Sequence, residues 1–302
     1  MADRSATIAD GQATYGAAGR SAWLDIDWRA HQRWVILDGR PVNVIELGEG
    51  PPVVFVHGLS GAWQNWLEQL PQVACSHRVI AMDLPGFGYS PLPAQKISIS
   101  GYTRMLDQLF DALAIDSAAV VGNSMGGFIS AELAINFPER VKRLVLVSPA
   151  GISTEGRNVR LETLRRVERV TAAFAAWFAS KSDIVACRAR LRRLTLSVVA
   201  ADPARLPAAL AAEYLRGSGK PGFLDALEAL VSYPLRARLP EIAAPTLVVW
   251  GDRDFLVPVR DADVFTELIP NSRKVVFKDT GHIAMSERPA AFNALLEEFL
   301  SE

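Results

Sequence analysis

Six apolar runs of strand length, each ended by a small or polar residue, constrain this chain more than any other feature. They are PPVVFVHG, ending at His57-Gly58; HRVIAMDLPG, whose apolar part ends at Asp83; and AAVVGNS, ending at Ser124. VKRLVLVSPAG, PTLVVWGDRD and RKVVFKDTGH follow, ending near Ser148, Asp252 and Gly281. Most of these runs are continuous rather than alternating, the pattern of strands buried on both faces of a parallel sheet. Between them apolar residues recur at helical spacing: Tyr102, Met105, Leu106, Leu109, Phe110 and Leu113, and at the C-terminus Phe292, Leu295, Leu296, Phe299 and Leu300. Strand alternating with helix predicts an α/β fold with helices on both faces. Ahead of the series, residues 33–47 (RWVILDGRPVNVIEL) read as two strands joined at Asp38-Gly39, a strong hairpin signal. The sheet is therefore expected to be mixed.

The alternation lapses once. From Gly151 to about Pro240 no convincing strand is present, and helical patterns such as LETLRRVERVTAAFAAWFASK take over. Leu161, Leu164, Val167, Val170, Phe174, Trp177 and Phe178 line roughly one side of that stretch. An insertion of this length is too long for a loop. It reads as a helical cap over residues 151–240, inserted into a core made of 33–150 and 241–302. Phe174, Trp177 and Phe178 are the candidate lining of an apolar substrate pocket. The cap holds 15 Lys+Arg against 8 Asp+Glu, in a chain whose net charge is −1. Solvated helix faces account for that surplus most simply. Attraction of anionic substrates, or peripheral contact with lipid headgroups, is the sharper reading.

Residues 1–32 form an N-terminal extension. The first 20 are small and polar and are expected to be poorly ordered. The segment WLDIDWRAHQRW, with Trp23, Trp28 and Trp34, instead suggests docking onto the body. There is no basic stretch followed by an apolar run and no membrane-length apolar segment, so the cytoplasm is the expected location. Near-zero net charge argues against a nucleic-acid partner. Cys75 and Cys187 are the only cysteines, and neither their number nor their spacing suggests a disulfide framework or a zinc site.

Chemistry concentrates at the strand ends. Gly122-Asn123-Ser124-Met125-Gly126 fits Gly-x-Ser-x-Gly between an apolar strand and the helical pattern MGGFISAELAINF. A sharp strand-to-helix turn exposes the serine hydroxyl, and small flanking residues let backbones approach. A serine hydroxyl needs a base. Of four histidines, His31 and His77 read as structural, whereas His282 lies in the loop after the last strand, at the same end of the sheet as Ser124. The base needs a carboxylate, and the order serine, acid, histidine suits such a fold. Asp254, past the turn, is the candidate; Asp252, beside Gly251, reads as a turn residue. His57 is placed to hold a loop by hydrogen bonds rather than to act as base. The loop after it, with the start of the helix, should supply the oxyanion donors, the backbone N–H groups of Leu59 and Met125.

VFVHGLSG, DLPGFGYS, GNSMGG, PERVKRLVLVSPAG, WGDRD and TGHIAMSERP, in this order, resemble the α/β-hydrolase superfamily from about Arg33 to Leu300. The resemblance implies an eight-stranded, mostly parallel sheet, a helical lid after the sixth strand, no cofactor, and the roles just given to Ser124, Asp254, His282, Leu59 and Met125. Haloalkane dehalogenases and epoxide hydrolases look similar but carry aspartate at the elbow, where this chain has Ser124. The GNSMGG elbow is similar to that of hydrolases of ring-fission products. Those typically show Gly-Pro-Gly after the first His-Gly and Trp after the catalytic histidine; here the matching residues are Leu59-Ser60-Gly61 and Ile283. The expected activity is hydrolysis of carboxylic esters of apolar small molecules through an acyl-enzyme on Ser124. Carbon–carbon bond hydrolysis of ring-fission products is the alternative, and a ligand receptor with a slow hydrolase site is the alternative of another class.

Overall fold

The computed structural model describes residues 5–8, 15–16, 19–153 and 179–302. Its centre is a nine-stranded sheet in the order β1-β9-β8-β7-β6-β4-β5-β3-β2. The strands are β1 Ser5–Ile8, β2 Gln32–Leu37, β3 Arg40–Leu47, β4 Pro52–Val56, β5 Arg78–Met82, β6 Ala118–Asn123, β7 Val141–Val147, β8 Thr246–Gly251 and β9 Ser272–Phe277. Among the described residues, only the β2–β3 and β3–β5 pairs are antiparallel. The hairpin turns at Asp38 and Gly39, both with positive φ (48° and 70°), as a two-residue turn matched to strand twist requires.

Continuous apolar runs follow from a sheet covered on both faces. Val54 and Val56 of β4 enter one core, together with Val120, Leu144, Leu146, Val248 and Trp250. Val53 and Phe55 enter the other, with Val121, Val145, Val147, Leu247 and Val249. Helices Ile99–Ala112, Met125–Asn136 and Arg260–Leu268 bring Tyr102, Leu109, Phe128 and Phe265 to the first face. Helix Pro289–Ser301 brings Phe292, Leu296 and Phe299 to the second. Helix Ile99–Ala112 starts where Ser98 Oγ accepts the Gly101 N–H, an N-cap that satisfies one of the free first-turn donors.

Between β7 and β8, the described residues form helices Ser182–Ala186, Ala189–Leu196, Ala208–Arg216 and Phe223–Ser232, with short 3-10 turns and no strand. Val185, Ala186, Leu196, Ala211, Ala212 and Leu215 make a small core of their own there. Phe174, Trp177 and Phe178 lie outside the described residues.

Two expectations are corrected. The sheet has nine strands, not eight, because Ser5–Ile8 pairs in parallel with β9, from Ser5 opposite Lys274 to Ile8 opposite Phe277. The insertion thus follows the seventh strand in chain order. The pairing is made by backbone groups that would otherwise leave the β9 edge open; the first three side chains of the strand are exposed, so no apolar run marks it. Nor are the first 20 residues uniformly loose, since β1 is formed and Tyr15 is buried. Docking holds for two of the three tryptophans. Trp23 is buried and donates to Glu68, and Trp28 packs against Trp63 with ring centroids 5.0 Å apart. Trp34 is 52% exposed on the β2 edge.

Candidate active site

Ser124 stands alone between β6 and helix Met125–Asn136, with φ 55° and ψ −118°. Such a conformation costs on the order of 1–3 kcal/mol and persists only where its surroundings enforce it. Here they do. Ser124 N–H donates to Val147 O (3.0 Å), and its carbonyl accepts from Phe128 N–H and Ala150 N–H (3.1 Å each). The helix behind it is pressed against β4: a Cβ on Gly126 would lie 2.2 Å from Val56 O, and one on Gly122 2.4 Å from Gly126 O. Ser124 keeps partial exposure while Asn123 and Met125 are buried. Met125 opens the helix, so its N–H has no carbonyl one turn back to bond.

The structure brings Asp254 and His282 together. His282 Nδ1 is 2.7 Å from Asp254 Oδ2, and both side chains are almost wholly buried. The other carboxylate oxygen, Oδ1, accepts Leu256 N–H and Val257 N–H at 2.9 Å each. The carboxylate is therefore fixed by backbone donors on one side and aimed at the imidazole on the other. Asp252 is exposed, and its Oδ1 accepts Thr280 N–H, closing the turn between the β8 and β9 ends. The loop that carries His282 is tied at its backbone as well. His282 N–H donates to Val199 O (2.9 Å), Asn123 Nδ2 to His282 O (3.3 Å), and Gly281 N–H to Glu287 Oε1 (2.9 Å).

Leu59 follows Gly58, whose backbone abuts the elbow: a Cβ there would lie 3.0 Å from Ser124 Cβ. His57 beneath this loop is fully buried, with both ring nitrogens engaged. Nδ1 is 2.7 Å from Gly58 O, and Nε2 accepts Leu84 N–H at 2.9 Å. That pattern fits one neutral tautomer, and burial pushes the imidazole pKa below its ordinary value. Asp83, also buried, accepts Trp63 N–H, Tyr89 N–H and Asn43 Nδ2, tying strand β3 to the segments that carry Trp63 and Tyr89. A groove of about 430 Å³ runs beside this region, lined by Ala62, Gln64, Gly88, Tyr89, Arg216 and Lys220 among others. His31 and His77 lie apart from the site, and His77 Nδ1 bonds its neighbour Ser76.

Glu287 was not singled out from the sequence, yet its carboxylate holds the residue next to His282. The available signal was an acidic residue five positions beyond the candidate base, in SERP. Burial raises its pKa above the ordinary carboxylate range. Among the described residues, no group of three or more His, Cys, Asp or Glu is arranged to hold a metal, and no helix is long and apolar enough to cross a membrane.

A family model described as alpha/beta hydrolase fold matches residues 51–289. A 2-hydroxymuconate semialdehyde hydrolase from a Pseudomonas species is 34% identical over 292 residues, covering 89% of this chain and 94% of that one. A 2-hydroxy-6-oxo-2,4-heptadienoate hydrolase from Pseudomonas putida is 30% identical over 284 residues, covering 89% and 96%. Among solved structures, a meta-cleavage product hydrolase from Pseudomonas fluorescens superposes with a TM-score of 0.70 at 26% identity, covering 89% of this chain and 97% of that one.

Proposed function

Because the chain belongs to the α/β-hydrolase family, we propose that it is a serine hydrolase that cleaves an acyl carbon–carbon bond in ring-fission-type unsaturated keto acids. The observation that carries the reading is the pair of relatives named for such substrates, each matched over nearly its whole length. The strained Ser124 elbow and the His282–Asp254 hydrogen bond support the chemistry. The expected preference for carboxylic esters has less support from these relatives than the carbon–carbon reading.

In this reading His282 takes the Ser124 proton as the oxygen attacks the acyl carbonyl. Asp254 holds the imidazole in the tautomer whose Nε2 can accept that proton and stabilises the cation that forms. The N–H groups of Leu59 and Met125 donate to the oxyanion. The bond breaks in the keto form of the substrate, in which the enol proton has moved from the 2-hydroxyl to C5; the tetrahedral adduct then expels C5, whose electron pair spreads through the C3–C4 double bond onto the 2-oxo group and takes the proton held by His282. Water then attacks the acyl-enzyme with His282 as base, releasing a carboxylic acid and regenerating Ser124. Residues 151–240 act as a cap. The small core of their described helices favours this, as does the close approach of Gly217, whose Cβ would lie 2.6 Å from Ser60 O beside the oxyanion loop.

The ester reading keeps one specific observation in its favour: Leu59-Ser60-Gly61 and Ile283 stand where ring-fission hydrolases typically carry Gly-Pro-Gly and Trp. One experiment separates the two. Loss of the dienoate absorbance of 2-hydroxy-6-oxo-2,4-heptadienoate is followed beside release from p-nitrophenyl esters of increasing acyl length. The proposal expects kcat/KM for the dienoate to exceed that for the esters by about a hundredfold or more. It also expects Ser124→Ala to lose about a thousandfold or more. Ester turnover without dienoate turnover would reverse the order. A compound that raises the melting temperature but is turned over by neither route would point to a receptor.

A further inference from the structure

Tyr15 comes from the N-terminal extension, yet it sits against the loop that carries His282. Its hydroxyl donates to Glu287 Oε2 (2.7 Å) and accepts Asp202 N–H (2.8 Å). Its ring lies between two guanidinium groups, Arg205 at 4.6 Å and Arg288 at 4.9 Å from the centroid. Gly16 N–H donates to Glu287 O at 2.7 Å. Glu287 in turn receives Ala201 N–H on Oε2 and Gly281 N–H on Oε1. Three segments distant in sequence therefore meet at one buried carboxylate: the extension, the connector 199–205 of the insertion, and the base loop 281–287.

The contact does more than tack down an arm. A buried carboxylate is tolerated only when hydrogen bonds replace its water. Two of the donors named above are backbone N–H groups, Gly281 within the base loop and Ala201 on the connector that packs against it; the third is the Tyr15 hydroxyl. The connector it steadies supplies Val199 O, the acceptor for His282 N–H. It also packs on Gly281, where a Cβ would lie 2.7 Å from Ala201 N. Removing the hydroxyl takes one donor from Glu287 and the acceptor from Asp202 N–H. One loss falls on the carboxylate that holds Gly281 N–H, the other on the connector whose Val199 O accepts His282 N–H, and none falls on Ser124.

We propose that Tyr15 is a positioning residue for His282, acting through Glu287 and the Val199–Asp202 connector. The inference rests on the assignment of His282 as the base. Tyr15→Phe keeps the ring between Arg205 and Arg288 and deletes only the hydroxyl. In the full-length protein, with p-nitrophenyl butyrate as probe, kcat should fall about tenfold while KM stays within about twofold, the signature of a displaced catalytic group rather than a damaged binding site. Glu287→Gln should do the same, and the double variant should be no worse than the poorer single one, because the two act as a unit. The proton NMR resonance of the His282–Asp254 hydrogen bond needs no substrate and should broaden or shift in Tyr15→Phe.

Unchanged kcat and an unchanged resonance in folded Tyr15→Phe would overturn the proposal. So would losses in the two single variants that simply multiply in the double. If wild type shows no Ser124-dependent turnover but the resonance changes in Tyr15→Phe, the hydrolase reading fails and the positioning of His282 by Tyr15 stands.

Discussion

Asp254 divides its two oxygens between tasks, and that division predicts what an amide in its place would do. Oδ1 already takes Leu256 N–H and Val257 N–H, so the oxygen of an asparagine side chain would settle there. Its NH₂ would then face His282 Nδ1, forcing the proton onto Nε2, the nitrogen that in the proposed mechanism accepts from Ser124. Asp254→Asn should therefore fold normally and lose about 10⁴ in kcat, read by steady-state kinetics beside a thermal melt. His57 gives a second residue-scale prediction. Burial holds its pKa below the ordinary value of 6.5, so below that pH the unfolded chain binds a proton that the native state refuses. Native stability should fall as pH drops through this window. The share due to His57 is at most about 1.4 kcal/mol per pH unit, one proton's worth. Urea midpoints at several pH values should show a shallower acid slope in His57→Asn than in wild type.

At the scale of elements, the elbow is where steric demand is greatest. Helix Met125–Asn136 approaches β4 so closely that Gly126→Ala would drive a methyl group to 2.2 Å from Val56 O. That carbonyl belongs to a central strand and cannot move far. The substitution should cost about 3 kcal/mol or more and abolish activity, measured by urea unfolding and by turnover. The sequence made this region legible because its constraints are local: an apolar run, a serine with small neighbours, a helix. The β8 turn was legible for the same reason. Which carboxylate lies past the turn can be read from WGDRD, and Asp254 is the one within reach of His282. What stayed hidden is held by backbone or by distant partners. β1 pairs through its main chain with exposed side chains, so hydrophobic pattern could not mark it. Tyr15 and Glu287 meet across 272 positions, and nothing near either one announces the other.

Charge belongs to the whole molecule. The surplus of Lys and Arg in residues 151–240 sets a positive charge against an otherwise acidic sequence, and Arg216 and Lys220 line the groove shared with Ala62 and Gln64. For an anionic dienoate, raising ionic strength from about 0.01 M to about 0.15 M shortens the screening length from about 30 Å to about 8 Å. KM for that substrate should rise severalfold, while KM for a neutral ester should hardly change. Equal salt dependence for both would remove any role for the charge of residues 151–240 in substrate capture. The span between Tyr15 and Glu287 also has a consequence in time. During synthesis Tyr15 leaves the ribosome long before Glu287 is made and waits 272 positions for its partner. The hydrogen bonds that tie the loop around His282 to Tyr15 and to the connector can therefore close only after Glu287 has emerged.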